Sequence, residues 1–319
     1  MIRKSEIDNL KGLAIIGVVF VHMSFYSRFS AETIKIIDFL QLIFGWCVIA
    51  FFFSAGLVSK KVKREYLIDF LRKKIKRLII PCFYFSLTYK LILAGISYLG
   101  FSSYSSSFPD TLIDLSLFII APVGPQFYFL YYLFACSMIL GALELFFSRN
   151  MICIFAISVL PILFYFIESP INSYGPDLNL IPIYLYSYIL GMLFSKCNSK
   201  NLNKLYAFSS LAISLVILII TNNQYLVFIQ IYIPIIIWLS FIKLSSISSL
   251  FNKTKLGMYS GGIYVWHTPI VLPIVSVFFT KLIGGGSLVI LPIIIFTILI
   301  SILISRLTYK YDFLNFLRF

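Results

Sequence analysis

Charge is what this sequence has least of. Only 12% of its 319 residues are Asp, Glu, Lys or Arg, where a soluble domain carries roughly 25%. Acidic residues number 12 against 26 basic ones, and histidine occurs twice. The five cysteines, Cys47, Cys82, Cys136, Cys153 and Cys197, form no CxxC pair. We read from them neither a disulfide framework nor a metal site. No internal repeat is visible, which weighs against inverted-repeat transporter folds. No small-residue cleavage site follows the first apolar run, so that run reads as a first span and not a removed signal peptide.

What the chain has instead is apolar surface. Hydrophobic residues make up 60% of it, with 33 Phe and 21 Tyr, and its mean hydropathy is +0.97. That composition belongs to an integral membrane protein. The net charge of +14 does not indicate nucleic acid, which needs a soluble basic face. The basic residues gather at one end of each apolar segment, a topology signal, and some are placed to meet anionic lipid head groups.

At roughly 20 apolar residues per crossing, the pattern predicts an all-α bundle of about ten membrane helices in a single domain over residues 1–319, with no separate soluble domain. The expected spans are Leu10–Tyr26, Ile37–Val58, Leu78–Tyr98, Phe127–Phe147, Met151–Ile167, Leu180–Phe194, Leu205–Ile220, Tyr225–Ile242, Gly257–Thr280 and Ser287–Thr308. Leu112–Ile120 is too short to cross and is expected to lie on the outer surface. The stretch Lys60 to Arg77 holds nine basic and two acidic residues, which fixes it inside. With the N-terminus inside, every inner loop carries Arg or Lys. The outer loops hold Arg28, Lys35 and Lys281 against Glu32, Asp38, Asp110, Asp114, Glu168 and Asp177. Both termini are then expected in the cytoplasm.

Both histidines fall inside apolar runs, where ionisable groups are costly and usually functional. His22 ends IDNLKGLAIIGVVFVH. Lys11 lies eleven residues earlier, about three turns and roughly 16 Å along a helix, so the two share a face. His22 reads either as one wall of a buried polar cavity with Lys11 at its mouth, or as a polar contact between packed helices. Ser260, Tyr264 and His267 of YSGGIYVWHTP follow i, i+4, i+7 and share a face. Pro269 removes the backbone bond to the Val265 carbonyl and is expected to kink the helix there. That face reads as a cavity wall or as a hydrogen-bonded tether between helices.

Lys73 and Arg77 are four apart, as are Arg72 and Lys76, and they abut the membrane. Such cations suit phosphate or pyrophosphate. Lys90 lies deeper and must snorkel outward or face a polar interior. In FFFSAG, Ser54 and Gly56 allow a close approach by a helix or a ligand. Gln126 and Tyr128 open the fourth span within QFYFLYYLF, an interfacial aromatic cluster.

Taken together and in order, IDNLKGLAIIGVVFVH, FFFSAG with KIKRLIIP, PQFYFLYYLF and YSGGIYVWHTPI resemble the membrane-bound acyltransferase type 3 family. Many of its members O-acetylate bacterial polysaccharides. The family often has arginine where Lys11 stands and tryptophan where Phe127 stands. The resemblance implies an O-acetyltransferase of the bacterial inner membrane. Acetyl would pass from cytoplasmic acetyl-CoA, a substrate and not a bound cofactor, to a sugar hydroxyl of a surface or lipid-linked glycan. It implies His22 and His267 as catalytic residues. Lys11, Arg72, Lys73, Lys76 and Arg77 are the expected acyl-CoA ligands. Ser54, Gln126, Tyr128, Ser260 and Tyr264 are the expected substrate contacts. His22, neutral in a desolvated site, is expected as general base, with transient acylation of its ring as the other route. The rival class is a polytopic transporter or flippase for a lipid-linked glycan. It needs a mid-membrane acid, and Glu144 and Glu168 stand near span ends.

Overall fold

The computed structural model describes residues 5–23, 29–87, 128–156, 180–196, 226–243 and 245–310, and all regular structure among them is helical. The helices are α1 (Ser5–Val21), α2 (Ala31–Phe44), α3 (Trp46–Leu57), α4 (Leu67–Lys74), α5 (Tyr128–Phe146), α6 (Ile181–Lys196), α7 (Leu226–Lys243), α8 (Ser245–Thr254), α9 (Leu256–Trp266), α10 (Leu272–Ile283) and α11 (Ile290–Lys310). The expected seventh span, the surface segment Leu112–Ile120, Lys90 and Gln126 lie outside the described residues. So do the later parts of the third and fifth spans.

Among the described residues, three helical stretches are long and apolar enough to cross a bilayer: Ala31–Leu57, Tyr128–Phe146 and Ser287–Thr308. Ile181–Ser195, Gln230–Phe241 and Leu272–Ile283 are apolar but shorter. Their outward faces are the clearest sign of lipid. Ile274, Phe278 and Leu282 on α10, and Leu291, Ile295, Leu299, Leu303 and Leu307 on α11, are all exposed at intervals of four. In water such apolar stripes would be sticky; against acyl chains they cost nothing.

α1 is the hub, packed against α2, α3, α7, α8, α9 and α11. It begins at Ser5, earlier than expected, because Glu6 and Asp8 in its first turn suit the positive end of the helix dipole. It ends at Val21, short of the expected Tyr26. α2 also starts early. Ser30 caps it, its hydroxyl accepting the Thr33 N–H at 3.3 Å. Lys35 and Asp38, expected in a loop, are therefore helical.

α2 and α3 form one crossing with a break at Gly45. Gln230 Nε2 donates to the Leu42 carbonyl there at 3.1 Å, satisfying a group the break leaves open. α3 packs closely on α6. A Cβ at Gly56 would stand 2.9 Å from Met192 N, and one at Gly191 would stand 3.0 Å from Leu57 N. Small residues let these backbones touch.

α4 continues through a π turn at Ile75–Ile79 into a helix over 80–87. Charge does not stop this helix, which starts eleven residues before the expected span. The turn has an i→i+5 bond, Ile80 N–H to Ile75 O, which adds a residue to the stretch that carries Lys76 and Arg77.

Candidate active site

His22 sits one residue past α1, and His267 opens a π turn, His267–Val271, between α9 and α10. The bend has a simple origin. A residue before proline avoids helical ψ, and Thr268, before Pro269, takes φ −121° and ψ 140°. The kink expected at Pro269 is there.

The two rings meet. His267 Nε2 lies 3.2 Å from His22 Nδ1, with ring centroids 5.0 Å apart at 65°. His22 is 8% exposed and His267 0%. Each Nδ1 also faces the carbonyl four residues back: Val18 O at 2.8 Å from His22 and Ile263 O at 2.9 Å from His267. A carbonyl only accepts, so in both neutral rings Nδ1 carries the hydrogen. The Nε2 of His267 is then an acceptor, turned to the His22 Nδ1–H and to the Thr268 hydroxyl at 3.3 Å. The Nε2 of His22 is left with the lone pair, the form a base requires. Gln41 Nε2 donates to Val21 O at 2.6 Å and closes the end of α1 beside this ring.

What brings the rings together is the packing of α1 on α9. Gly257 lies against the backbone of Asp8, where a Cβ would come 2.7 Å from Asp8 Cα. Asn9 Nδ2 donates to Ser248 O at 3.1 Å and to Ser248 Oγ at 2.9 Å, tying α1 to α8.

A chain of aromatic rings runs from the histidines to α5 and α6. Tyr264 is 6.2 Å from the His267 ring, Phe129 5.0 Å from Tyr264 and Phe52 5.2 Å from Phe129. Tyr184 stacks on Phe52 at 4.3 Å, and Tyr132 is 5.2 Å from Tyr184. Within this apolar surround the Tyr264 hydroxyl and Ser54 Oγ are buried, and neither has a hydrogen-bond partner among the described residues. Native interiors rarely tolerate that without a use.

The other expected site residues are more scattered. Ser260 is buried, and its Oγ donates back to Gly257 O at 3.0 Å. Tyr128 is half-buried at the start of α5, its ring 6.4 Å from that of Tyr132. Lys11 is partly exposed and pairs with Asp8 at 4.0 Å. Arg72, Lys73, Lys76 and Arg77 are exposed on and after α4. Between them Lys74 lies 5.5 Å over the Phe70 ring. Burial, with the charge of nearby Arg77, pulls its ammonium down to about 8.

Sequence reasoning missed Thr268 beside the histidine ring and the pairing of Glu144 with Arg149. Thr268 carried a weak signal as the hydroxyl between His267 and Pro269. Glu144 is not a lone acid of the kind a proton-coupled carrier needs, because Arg149 Nε donates to it in a buried ion pair.

No curated protein and no solved structure matches the chain. A family model described as an acyltransferase domain, Acyl_transf_3, matches residues 4–306. A match over nearly the whole chain, the membrane-type helices included, shows that this chain belongs to the acyltransferase 3 family of membrane acyltransferases.

Proposed function

We propose that this chain O-acetylates a glycan, moving acetyl from cytoplasmic acetyl-CoA to a sugar hydroxyl of a surface or lipid-linked polysaccharide. The observation that carries the reading is the buried contact of His22 with His267 at 3.2 Å. In this reading the chain crosses the bacterial inner membrane about ten times, with both termini in the cytoplasm. The inner-loop cations support that orientation.

The reaction follows from the tautomers. Arg72, Lys73, Lys76 and Arg77, with Lys11, hold the CoA phosphates through charge-assisted hydrogen bonds. The pantetheine arm carries the thioester to the histidines. The lone pair on His22 Nε2 takes the proton of the attacking sugar hydroxyl. The sugar oxygen bonds to the acetyl carbon, the carbon–sulfur bond breaks, and the leaving thiolate recovers the proton as CoA thiol. His267 Nε2 accepts from His22 Nδ1–H, holding that ring in the reactive tautomer and stabilising it while it carries the extra proton, as the third member of a triad does. The unpaired hydroxyls of Tyr264 and Ser54 are donors for the acceptor sugar or the thioester oxygen. The aromatic surround keeps water from the thioester.

The test is thioester consumption by purified protein given acetyl-CoA and a glycan acceptor, with mass spectrometry of the product. Acetylated glycan from wild type, and none from His22→Ala, supports the reading. Acetylation retained by His22→Ala removes that residue from catalysis. An acetyl group trapped on the His22 ring selects the covalent route over general-base catalysis.

A further inference from the structure

α5 ends at Phe146, and a helix over 149–156 follows at once. Across this corner Glu144 and Arg149 form their ion pair, with side chains 1% and 9% exposed. Buried charges are tolerated when their remaining hydrogen-bonding capacity is used. Here part of it holds a different segment, while Arg149 Nη2 has no hydrogen-bond partner among the described residues. Glu144 Oε2 accepts the Val62 backbone N–H at 2.7 Å. Arg149 Nη1 donates to Ser59 O at 3.3 Å. Arg64 Nη2 donates to Leu145 O at 3.4 Å. One turn back on α5, a Cβ at Gly141 would meet the Phe70 ring at 2.9 Å and the Val62 side chain at 3.7 Å.

All four tethered residues, Ser59, Val62, Arg64 and Phe70, directly precede the cations of α4. α4 itself buries none of its residues, whereas its continuation past the π turn buries Leu78, Cys82 and Phe85. The far end is held by apolar packing, and the near end, which leads into the cations, is held by the polar corner of α5.

We infer that Arg149, locked by Glu144, is a positioning residue that sets how α4 presents Arg72, Lys73, Lys76 and Arg77 to acyl-CoA. This rests on the donor-binding role proposed above for those cations. Neither Glu144 nor Arg149 is among the residues proposed to hold the substrates. The ion pair acts on the donor side of the reaction, and the histidine pair lies elsewhere in the fold.

The experiment uses the full chain in lipid nanodiscs. Acetyl-CoA binding by the wild type is measured first; no binding there overturns the donor role of the cations and, with it, this inference. Arg149→Lys keeps the charge beside Glu144 but loses the fork that reaches Ser59. Glu144→Gln, the second variant, weakens the pair from the other side. Either is expected to speed hydrogen exchange of the Val62 amide and to raise KM for acetyl-CoA about tenfold, with kcat within about twofold. Restoring arginine at 149 restores both. If wild type binds acetyl-CoA yet both variants keep its KM, or lose kcat at unchanged KM, the inference fails while the donor role of the cations stands.

Discussion

His22 and His267 share a hydrogen-bonding contact of 3.2 Å across 245 positions of sequence. Each ring is oriented by its own helix, through the carbonyl four residues earlier. The pair is therefore assembled by two helix ends that need each other only for their relative placement.

Replacing His22 with Ala removes the proposed base. Turnover is expected to fall by about 10²–10⁴, the usual worth of a positioned acid–base group. The protein should still insert and keep its thermal stability, because the ring makes one local bond and one contact. Acetyl transfer and a melting curve in detergent check both halves.

His267→Ala leaves His22, the proposed base, in place with Val18 O still facing its Nδ1–H, but removes the second acceptor. A loss of kcat on the order of 10²-fold is expected with little change in KM for acetyl-CoA, the pattern of losing a group that fixes a catalytic tautomer. A KM effect alone would assign His267 to binding.

Tyr264→Phe deletes a hydroxyl that is buried without a partner among the described residues. Such a group burdens the fold by about 1–3 kcal/mol, so the variant should be as stable as wild type or more so. If the hydroxyl bonds the substrate, transfer should slow about tenfold. Stability and rate moving in opposite directions is the result to look for.

Acetyl-CoA binding should weaken as pH rises through about 8. Lys74, its ammonium pulled down to about 8, carries its charge below that value and loses it above. The cation cluster of α4 is one charge poorer at pH 9 than at pH 7. Lys74→Met should flatten this part of the profile in a titration of KM against pH.

Gly56→Ala and Gly191→Ala each place a methyl against the backbone of the opposite helix. Overpacking of this kind costs about 1–3 kcal/mol. Both variants should melt at lower temperature than wild type, and the double variant should not be additive, since both act on one crossing.

The long apolar helices were readable because hydropathy reports the solvent directly. Tyr128–Phe146 falls within a residue of the expected Phe127–Phe147. Breaks inside a crossing were not readable. Gly45 interrupts α2 and α3 in a run without any loss of hydrophobicity, and the bond that repairs it comes from Gln230, far along the chain. The start of α4 was missed because basic residues mark an interface without ending a helix there. The faces of His22 and His267 were legible from spacing, but their meeting was not. It depends on the close approach of α1 and α9 at Gly257, a fact of packing. The Glu144–Arg149 pair escaped for a similar reason: it spans a corner between helices, where periodicity carries no information.

The widened turn at Ile75–Ile79 sets a phase for all that follows it in its helix. Beyond it, Phe85 reaches the Trp266 ring edge-on at 5.5 Å, immediately before His267. Deleting a single residue within 75–79 would rotate the distal segment by about 100° and swing Phe85 off that indole. One surplus residue in this turn thus keys the aromatic packing beside the imidazoles, so a change of length there should matter more than a change of side chain.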